Sequence, residues 1–347
     1  MTQPTDTHSP LLPDRHPTPD FFVCDIFDAS PRGDMASMEH PIFSVSTKPD
    51  RKIRKYVNGD IFVEIKPSAD GLATVHDRDV LIYCISQLMA SLNEGKAISK
   101  VVRFKAYDLL KATNRMTNGQ AYAALKASLE RLAGTRISTN ILTGGREVFR
   151  TFGLIEEAEI VRETRDGRMQ DVQIKLSDWV YAAIEHKEVL TLSRDYFRLR
   201  KPLERRMYEI ARKHCGRQRE WRISLEKLQL KCGSTSSLRE FRRLVRDIVK
   251  EDQKHAHMPD YSITLNEDDM VTYHSRRTVP DLASSDEVDF VPPLKSETYD
   301  QARIVAPGWD IYLLEQEWRA WITEPPRNAD TAFLGFCRKV FERRRRP

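Results

Sequence analysis

The sequence predicts an α+β fold built from two tandem winged-helix domains and a small helical C-terminal region. Three observations carry that prediction. One succession of helix, strand, helix, turn, helix and hairpin is legible twice along the chain. Several of its helical stretches stop at a glycine, the residue that enters the left-handed region most freely. A stretch without period, "TVPDLASSDEVDFVPPLKSE", then separates the repeats from the tail and is rich in Pro, Ser and acid. The expected division is a flexible leader over 1–37, winged-helix domains over 38–187 and 188–277, a linker over 278–298 and helices over 299–347.

In the first repeat, "DRDVLIYCISQLMASLNEG" (77–95) has apolar residues at helical spacing and ends at Gly95. "KVVRF" (100–104) reads as a short strand, "AYDLLKATN" (106–114) as a short helix and "RMTNG" as a turn. "GQAYAALKASLERLAG" (119–134) is the second helix of the pair, with Tyr122, Leu125, Leu129 and Leu132 along one face. "TRISTNIL" and "EVFRTFGLI", joined by "TGGR" (143–146), are expected to form the wing hairpin. "VQIKLSDWVYAAIE" (172–185) closes the block.

The second repeat starts with "KPLERRMYEIARKHCG" (201–216), a helix with Pro in its first turn and Gly at its end. "EWRIS" (220–224) and "LEKLQLKCG" (225–233) are a strand and a short helix. "STSSLREFRRLVRDIVKEDQ" (234–253) opens with N-cap residues and continues as the longer helix. "YSITL" and "MVTYHS", joined by "NEDD", make the second hairpin.

Composition narrows the function classes. The 347 residues suffice for two or three domains, and 40% apolar residues are enough to bury cores. No apolar run approaches the ~18 residues that span a bilayer. The start, "MTQPTDTHSPLLPDRHPTPD", lacks the charged-then-apolar plan of a signal peptide and reads as a flexible leader. Five scattered cysteines, without a C-x-x-C pair, fit neither a disulfide framework nor a usual zinc spacing. A reducing cytoplasm is the expected setting. Net charge is +5 but unevenly spread: residues 1–50 hold eight acidic side chains against three basic ones, and 194–254 hold nineteen Lys and Arg against nine Asp and Glu. Such a basic region points to a polyanion, most often nucleic acid. The plainer alternative is a solvated helical surface.

The longer helix of the second repeat carries the sharpest expectation. Leu238, Phe241, Leu244, Val245, Ile248 and Val249 fall on one face, and Arg239, Arg242, Arg243, Arg246 and Lys250 occupy much of the rest. In a helix-turn-helix the second helix lies in the major groove with its N-terminal residues near base edges. Ser236, Ser237, Arg239, Arg242 and Arg243 would stand there, with Arg246 and Lys250 toward phosphates. Arginine suits the task because its planar fork pairs with both O6 and N7 of guanine. The competing reading is an exposed helix with i,i+4 ion pairs, for which Glu240, Asp247, Glu251 and Asp252 are available. The first repeat offers Asn118, Gln120 and Lys126 on its second helix and Arg146 and Arg150 on its expected wing. Asn and Gln pair with adenine but also cap helices. The second wing tip, Asn266-Glu267-Asp268-Asp269, is acidic and is not expected to touch DNA.

A cutting reaction is the rival from another class. His255-Ala256-His257 loosely matches the His-hydrophobic-His by which nicking initiators hold a divalent metal, beside a tyrosine nucleophile. The triplet sits at a helix end before Met258-Pro259, and a histidine there suits the helix dipole. No G-x-x-x-x-G-K-[ST] is present, so ATP-driven opening of DNA is not expected. No cofactor is expected.

Longer stretches resemble a known family. "SMEHPIFSVSTKPD" (37–50), "DVLIYCISQL" (79–88), "TNILTGGREVFRTFGLI" (139–155), "LSDWVYAAI" (176–184) and "LTLSRDYFRLRKPLERRMYEIARKHCG" (190–216) resemble the replication initiator protein A family of bacterial plasmids. "GWDIYLLEQEWRAWI" and "AFLGFCRKVFERRRR" resemble tails found there. The resemblance implies a non-enzymatic protein that binds double-stranded DNA at its plasmid's origin, at repeated sites (iterons). It also implies recruitment of the host initiator DnaA and the DnaB helicase, and a homodimer that represses its own gene. Within the same class, a winged-helix transcriptional repressor is the alternative. In the tail, Trp309, Trp318 and Trp321 lie in an expected helix with Ile311, Leu313 and Leu314, and a second helix from about 330 ends in Arg343–Arg346. A helical hairpin docked on the body or on a partner is expected.

Overall fold

The computed structural model describes residues 10–16, 31–58, 61–93, 95–140, 149–161, 171–216, 218–276, 294–307, 311, 314–315, 318, 326 and 328–344. The fold mixes helix and strand, in this order: β1 (Arg32–Asp34), α1 (Met35–Glu39), β2 (Arg54–Asn58), β3 (Ile61–Lys66), α2 (Arg78–Asn93), β4 (Val101–Lys105), α3 (Ala106–Ala112) and α4 (Gly119–Gly134). There follow β5 (Arg136–Thr139), β6 (Arg150–Gly153), β7 (Ile155–Val161), β8 (Asp171–Leu176), α5 (Asp178–Glu185), β9 (Val189–Thr191) and a 3-10 turn over Arg194–Arg198. The second repeat comprises α6 (Pro202–His214), β10 (Glu220–Ser224), α7 (Leu225–Cys232), α8 (Leu238–His255), β11 (Tyr261–Leu265) and β12 (Met270–Ser275). The tail holds α9 (Ser296–Val305) and α10 (Ala329–Arg344).

The two repeats have matching sheets. The first orders its strands β4-β8-β7 and the second β10-β12-β11, all antiparallel, so each block's lone strand pairs with the far arm of its hairpin. Local chemistry sets the helix ends. Ser224, Ser237 and Ser177 accept hydrogen bonds from Lys227 N, Glu240 N and Val180 N, capping α7, α8 and α5. Gly233 stops α7 at φ 68, a conformation that costs a residue with a Cβ.

One expected element lies elsewhere. The hairpin β5–β6 is not the wing of the first repeat; it joins β2 and β3 in a separate four-stranded sheet, β2-β3-β5-β6. The cause is long-range. Ile137 and Thr139 of β5 pair with Ile65 and Val63 of β3, and Val63, Ile65 and Ile137 are all buried. The run "EVFRTFGLIEEAEIV" breaks after Gly153, and its second half becomes β7 of the three-stranded sheet. The hairpin matching β11–β12 is therefore β7–β8.

A continuous core runs from Met38 to Tyr273, across the boundary expected at 187 and 188. Buried ion pairs reinforce it. Arg205 of α6 donates to both Asp79 oxygens at 2.7 and 2.9 Å, and Arg78 meets Glu209 at 2.6 Å. The stretch expected as a leader is partly ordered into the fold. Strand β1 pairs with β9, and residues 10–16 lie against both repeats: Leu12 N donates to Arg198 O, and Arg15 N to Asn114 Oδ1. The tail has its own core of Leu314, Trp318, Phe333, Cys337 and their neighbours. It meets the body where Gln218 donates to Tyr299 Oη at 2.9 Å and Lys213 faces Asp300 at 3.4 Å. Trp309, Trp321 and the last arginines' side chains lie outside the described residues.

Candidate nucleic-acid interface

Helix α8 buries Phe241, Val245, Ile248 and Val249 and turns its basic side outward. Steps of four, three and four residues place Arg239, Arg243, Arg246 and Lys250 on one exposed strip. Arg239, Arg246 and Lys250 form no ion pair among the described residues. The other two arginines are engaged. Arg243 lies between Glu240 and Asp247, at 2.7 and 2.9 Å, on its own helix. Arg242 donates Nε to Asp269 Oδ1 at 2.7 Å and Nη2 to Oδ2 of the same carboxylate. These hydrogen bonds hold the Asp269 carboxyl below its ordinary range.

That second pair went unread in the sequence. Asp269 sits in the β11–β12 turn at φ 56, and the acidic tip reaches back to α8. The signal was present in the sign reversal between an acidic turn and a basic helix. The register that brings position 269 to position 242 is tertiary. The two serines serve the turn: Ser237 is the N-cap, while Ser236 shares a hydroxyl contact with Ser234 and accepts Gln229 Nε2 at its carbonyl.

The first repeat's set is weaker as an interface. Asn118 caps α4, accepting from Ala121 N at 3.1 Å. Gln120 is exposed, and Lys126 faces Glu130 at 3.7 Å. Arg150 lies on β6, opposite Thr139 in the four-stranded sheet and not on the three-stranded sheet's hairpin. Arg146 lies outside the described residues.

The two histidines do not converge. Helix α8 ends at His255; Ala256 turns left-handed at φ 50, and His257 is carried inward, its Nε2 3.2 Å from Glu204. Glu204, Glu251 and His257 do gather within 4.8 Å, but Lys201 Nζ pairs with both carboxylates, at 3.3 and 2.5 Å. Burial raises the Glu204 pKa, and the His257 hydrogen bond and the Lys201 charge outweigh it, leaving a net lowering. An ammonium already supplies the positive charge these carboxylates require. No described helix is long and apolar enough to cross a membrane.

Comparison with known proteins adds the family. The model described as "Replication initiator protein A" matches residues 32–263. A relative from Wigglesworthia glossinidia brevipalpis, provisionally described as a replication protein, is 40% identical over 263 residues, covering 74% of this chain and 94% of its own. Two crystal structures of domains 2 and 3 of RctB align at TM-scores of 0.46 and 0.49 with 14% and 15% identity. They cover 68% and 71% of this chain and 95% and 98% of theirs. On the match over residues 32–263 and the 40% identity, this chain belongs to the replication initiator protein A family.

Proposed function

We propose that this protein is a plasmid replication initiator that binds repeated double-stranded sites in its origin through α8, with each three-stranded block acting as a winged helix. The observation that carries the proposal is the strip Arg239, Arg246 and Lys250, exposed on a helix that follows a short helix and a capped turn. In that arrangement the N-terminal half of the second helix enters the major groove. Arg239 then stands near base edges, and Arg246 and Lys250 near phosphates. The matching strand orders and helix pairs support a tandem. The first repeat contributes less charge, which fits a role in specificity or in a homodimer.

The protein supplies binding energy and no chemistry of its own in this reading. DNA distortion on binding hands unwinding to host proteins, with DnaA and the DnaB helicase as the expected partners.

A footprint on DNA flanking the gene, with Mg²⁺ and a salt series, tests the proposal. Protection of regularly spaced repeats, weakening steeply with salt, is the expected result. Arg239→Ala with Arg246→Ala should lower specific affinity by more than about tenfold. A single short protected palindrome would favour a repressor. A strand break that vanishes on replacing His257 would replace binding by cutting.

A further inference from the structure

The run Arg51-Lys52-Ile53-Arg54-Lys55 leads into β2 and is the densest basic stretch outside the second repeat and the C-terminal end. Among the described residues, its ion pairs are to Asp50 and Glu64 and not to α3 or α4. Two of its charges are neutralised: Arg54 holds Asp50 at 2.7 Å and Lys55 faces Glu64 at 2.9 Å. Arg51 and Lys52 are exposed and form no ion pair among the described residues.

The placement of this strand is what matters. Tyr56, one residue on, hangs over the turn that introduces α8: its hydroxyl is 3.5 Å from Gly233 O. A Cβ at position 233 would stand 3.0 Å from that hydroxyl and 2.9 Å from Pro41 Cβ. Only a glycine lets the two segments approach so closely, and its φ of 68 suits the same residue. The chain of the first repeat is thus seated against the end of α7, at the turn that leads into the proposed reading helix. From Tyr56 back to Arg51 the chain spans at most roughly 17 Å, with a bend at Lys52 just before β2. A duplex presents about ten charges over that length of axis.

We infer that Arg51 and Lys52 contact DNA phosphates beside the site read by α8, so that the four-stranded sheet's edge and the second repeat form one composite DNA surface. The inference rests on the DNA reading of α8. Both side chains are long, flexible and unneutralised. Neither has a fixed neighbour that would aim it at a base edge. They therefore add affinity that is independent of sequence, whereas Arg239 adds discrimination.

The test compares wild type, Arg51→Ala/Lys52→Ala and Arg239→Ala/Arg246→Ala on two duplexes: the segment the wild type protects, and a scrambled duplex of equal length. Affinity is measured across a salt series, with melting curves to confirm that all three proteins are folded. Loss of two phosphate contacts should make the slope of log affinity against log salt shallower by about 1.8, at about 0.9 per contact. The change should be equal on both duplexes, leaving the preference between them intact. The α8 variant should instead lose the preference. A wild-type slope for the Arg51/Lys52 variant, beside a defective α8 variant, overturns the composite surface and leaves the α8 reading standing. An unchanged slope with altered sedimentation would make the strip a contact between copies of the chain, which also overturns it. If the α8 variant binds and discriminates like wild type, the underlying reading fails and this inference falls with it.

Discussion

Helix α6 carries Arg205, Arg206 and Arg212, and helix α8 carries Arg239, Arg242, Arg243 and Arg246. The two read much alike, yet Arg205 and Arg206 of the first are 3% and 1% exposed, while three of the four in the second lie open to solvent. Their partners make the difference. Arg205 donates to Asp79 and to the carbonyls of Leu199 and Phe197; Arg206 reaches Glu209 and the carbonyls of Ser37, Glu39 and Lys231. Those acceptors come from both repeats, so α6 is a joint between them. Burying a guanidinium costs several kcal/mol unless its donors are filled in this way. Among the described residues, the arginines of α8 meet acids only on their own helix and at one hairpin tip, which leaves Arg239, Arg246 and Lys250 for a partner. Counting basic residues over 194–254 adds these two populations together and overstates the charge that DNA can meet.

The two helices should differ most in what they contribute to stability. Arg205→Met should cost about 3–5 kcal/mol, because it strips two hydrogen bonds from a buried carboxylate. Arg239→Ala should stay within about 0.5 kcal/mol of wild type. Urea unfolding midpoints decide it, and similar losses in both variants would abolish the division between an internal and an external helix.

A second difference is pH. Around the joint, burial lowers His40 and His76 to about 4, against an ordinary 6.5. Neighbouring charges modify that lowering: Glu39, Lys231, Asp300 and Lys213 act on His40, and Arg205, Asp79, Arg115 and Asp77 on His76. Between about pH 4 and 6.5 the unfolded chain then binds more protons than the folded one. Stability should fall as pH is lowered from about 6.5 to about 4, by up to about 1.4 kcal/mol per unit for each histidine. Glu39 adds a further loss at lower pH. Burial raises its pKa, but His214, Lys231 and Lys213 outweigh that and hold the carboxyl well below its usual range. Unfolding curves at stepped pH check this, and His76→Gln should flatten the profile. The surface of α8 has no histidine of this kind in its exposed strip, so DNA binding by the folded protein should change much less over the same window.

How much of this was legible depended on sequence distance. The second repeat was read almost residue by residue, because its capping serines, its glycine stop and its hairpin are local signals: "EWRIS" and "YSITL" are β10 and β11 as spaced. The first repeat's hairpin was misplaced because β5 is claimed by β3, a partner from before α2. The strip on α8 followed from its period. Which of its arginines are occupied did not, since Asp269 arrives from a separate element and Glu240 and Asp247 compete locally. The role of Arg205 and Arg206 was invisible because Asp79 comes from the other repeat and the Ser37 carbonyl from α1, in the stretch expected as a leader.

The smallest expected effect bears on the boundary case, Arg242, which is half-buried between its exposed neighbours on α8 and clamped like α6's arginines. Its fork grips Asp269 through Nε and Nη2, the same two-point grip it would offer to O6 and N7 of guanine. It cannot hold both, so DNA must displace the carboxylate if Arg242 reads a base. Asp269→Asn removes the competing charge and keeps a residue that tolerates φ 56. Specific affinity should then rise a few-fold, with little change on scrambled DNA. The gain should vanish when Arg242→Ala is already present, because there is no longer a fork to release. Anisotropy titrations on the four proteins of this cycle separate the cases. An equal gain in both backgrounds would mean that Asp269 acts only by repelling phosphate. No gain in either would place Arg242 with the arginines of α6, as a tie between helix and hairpin.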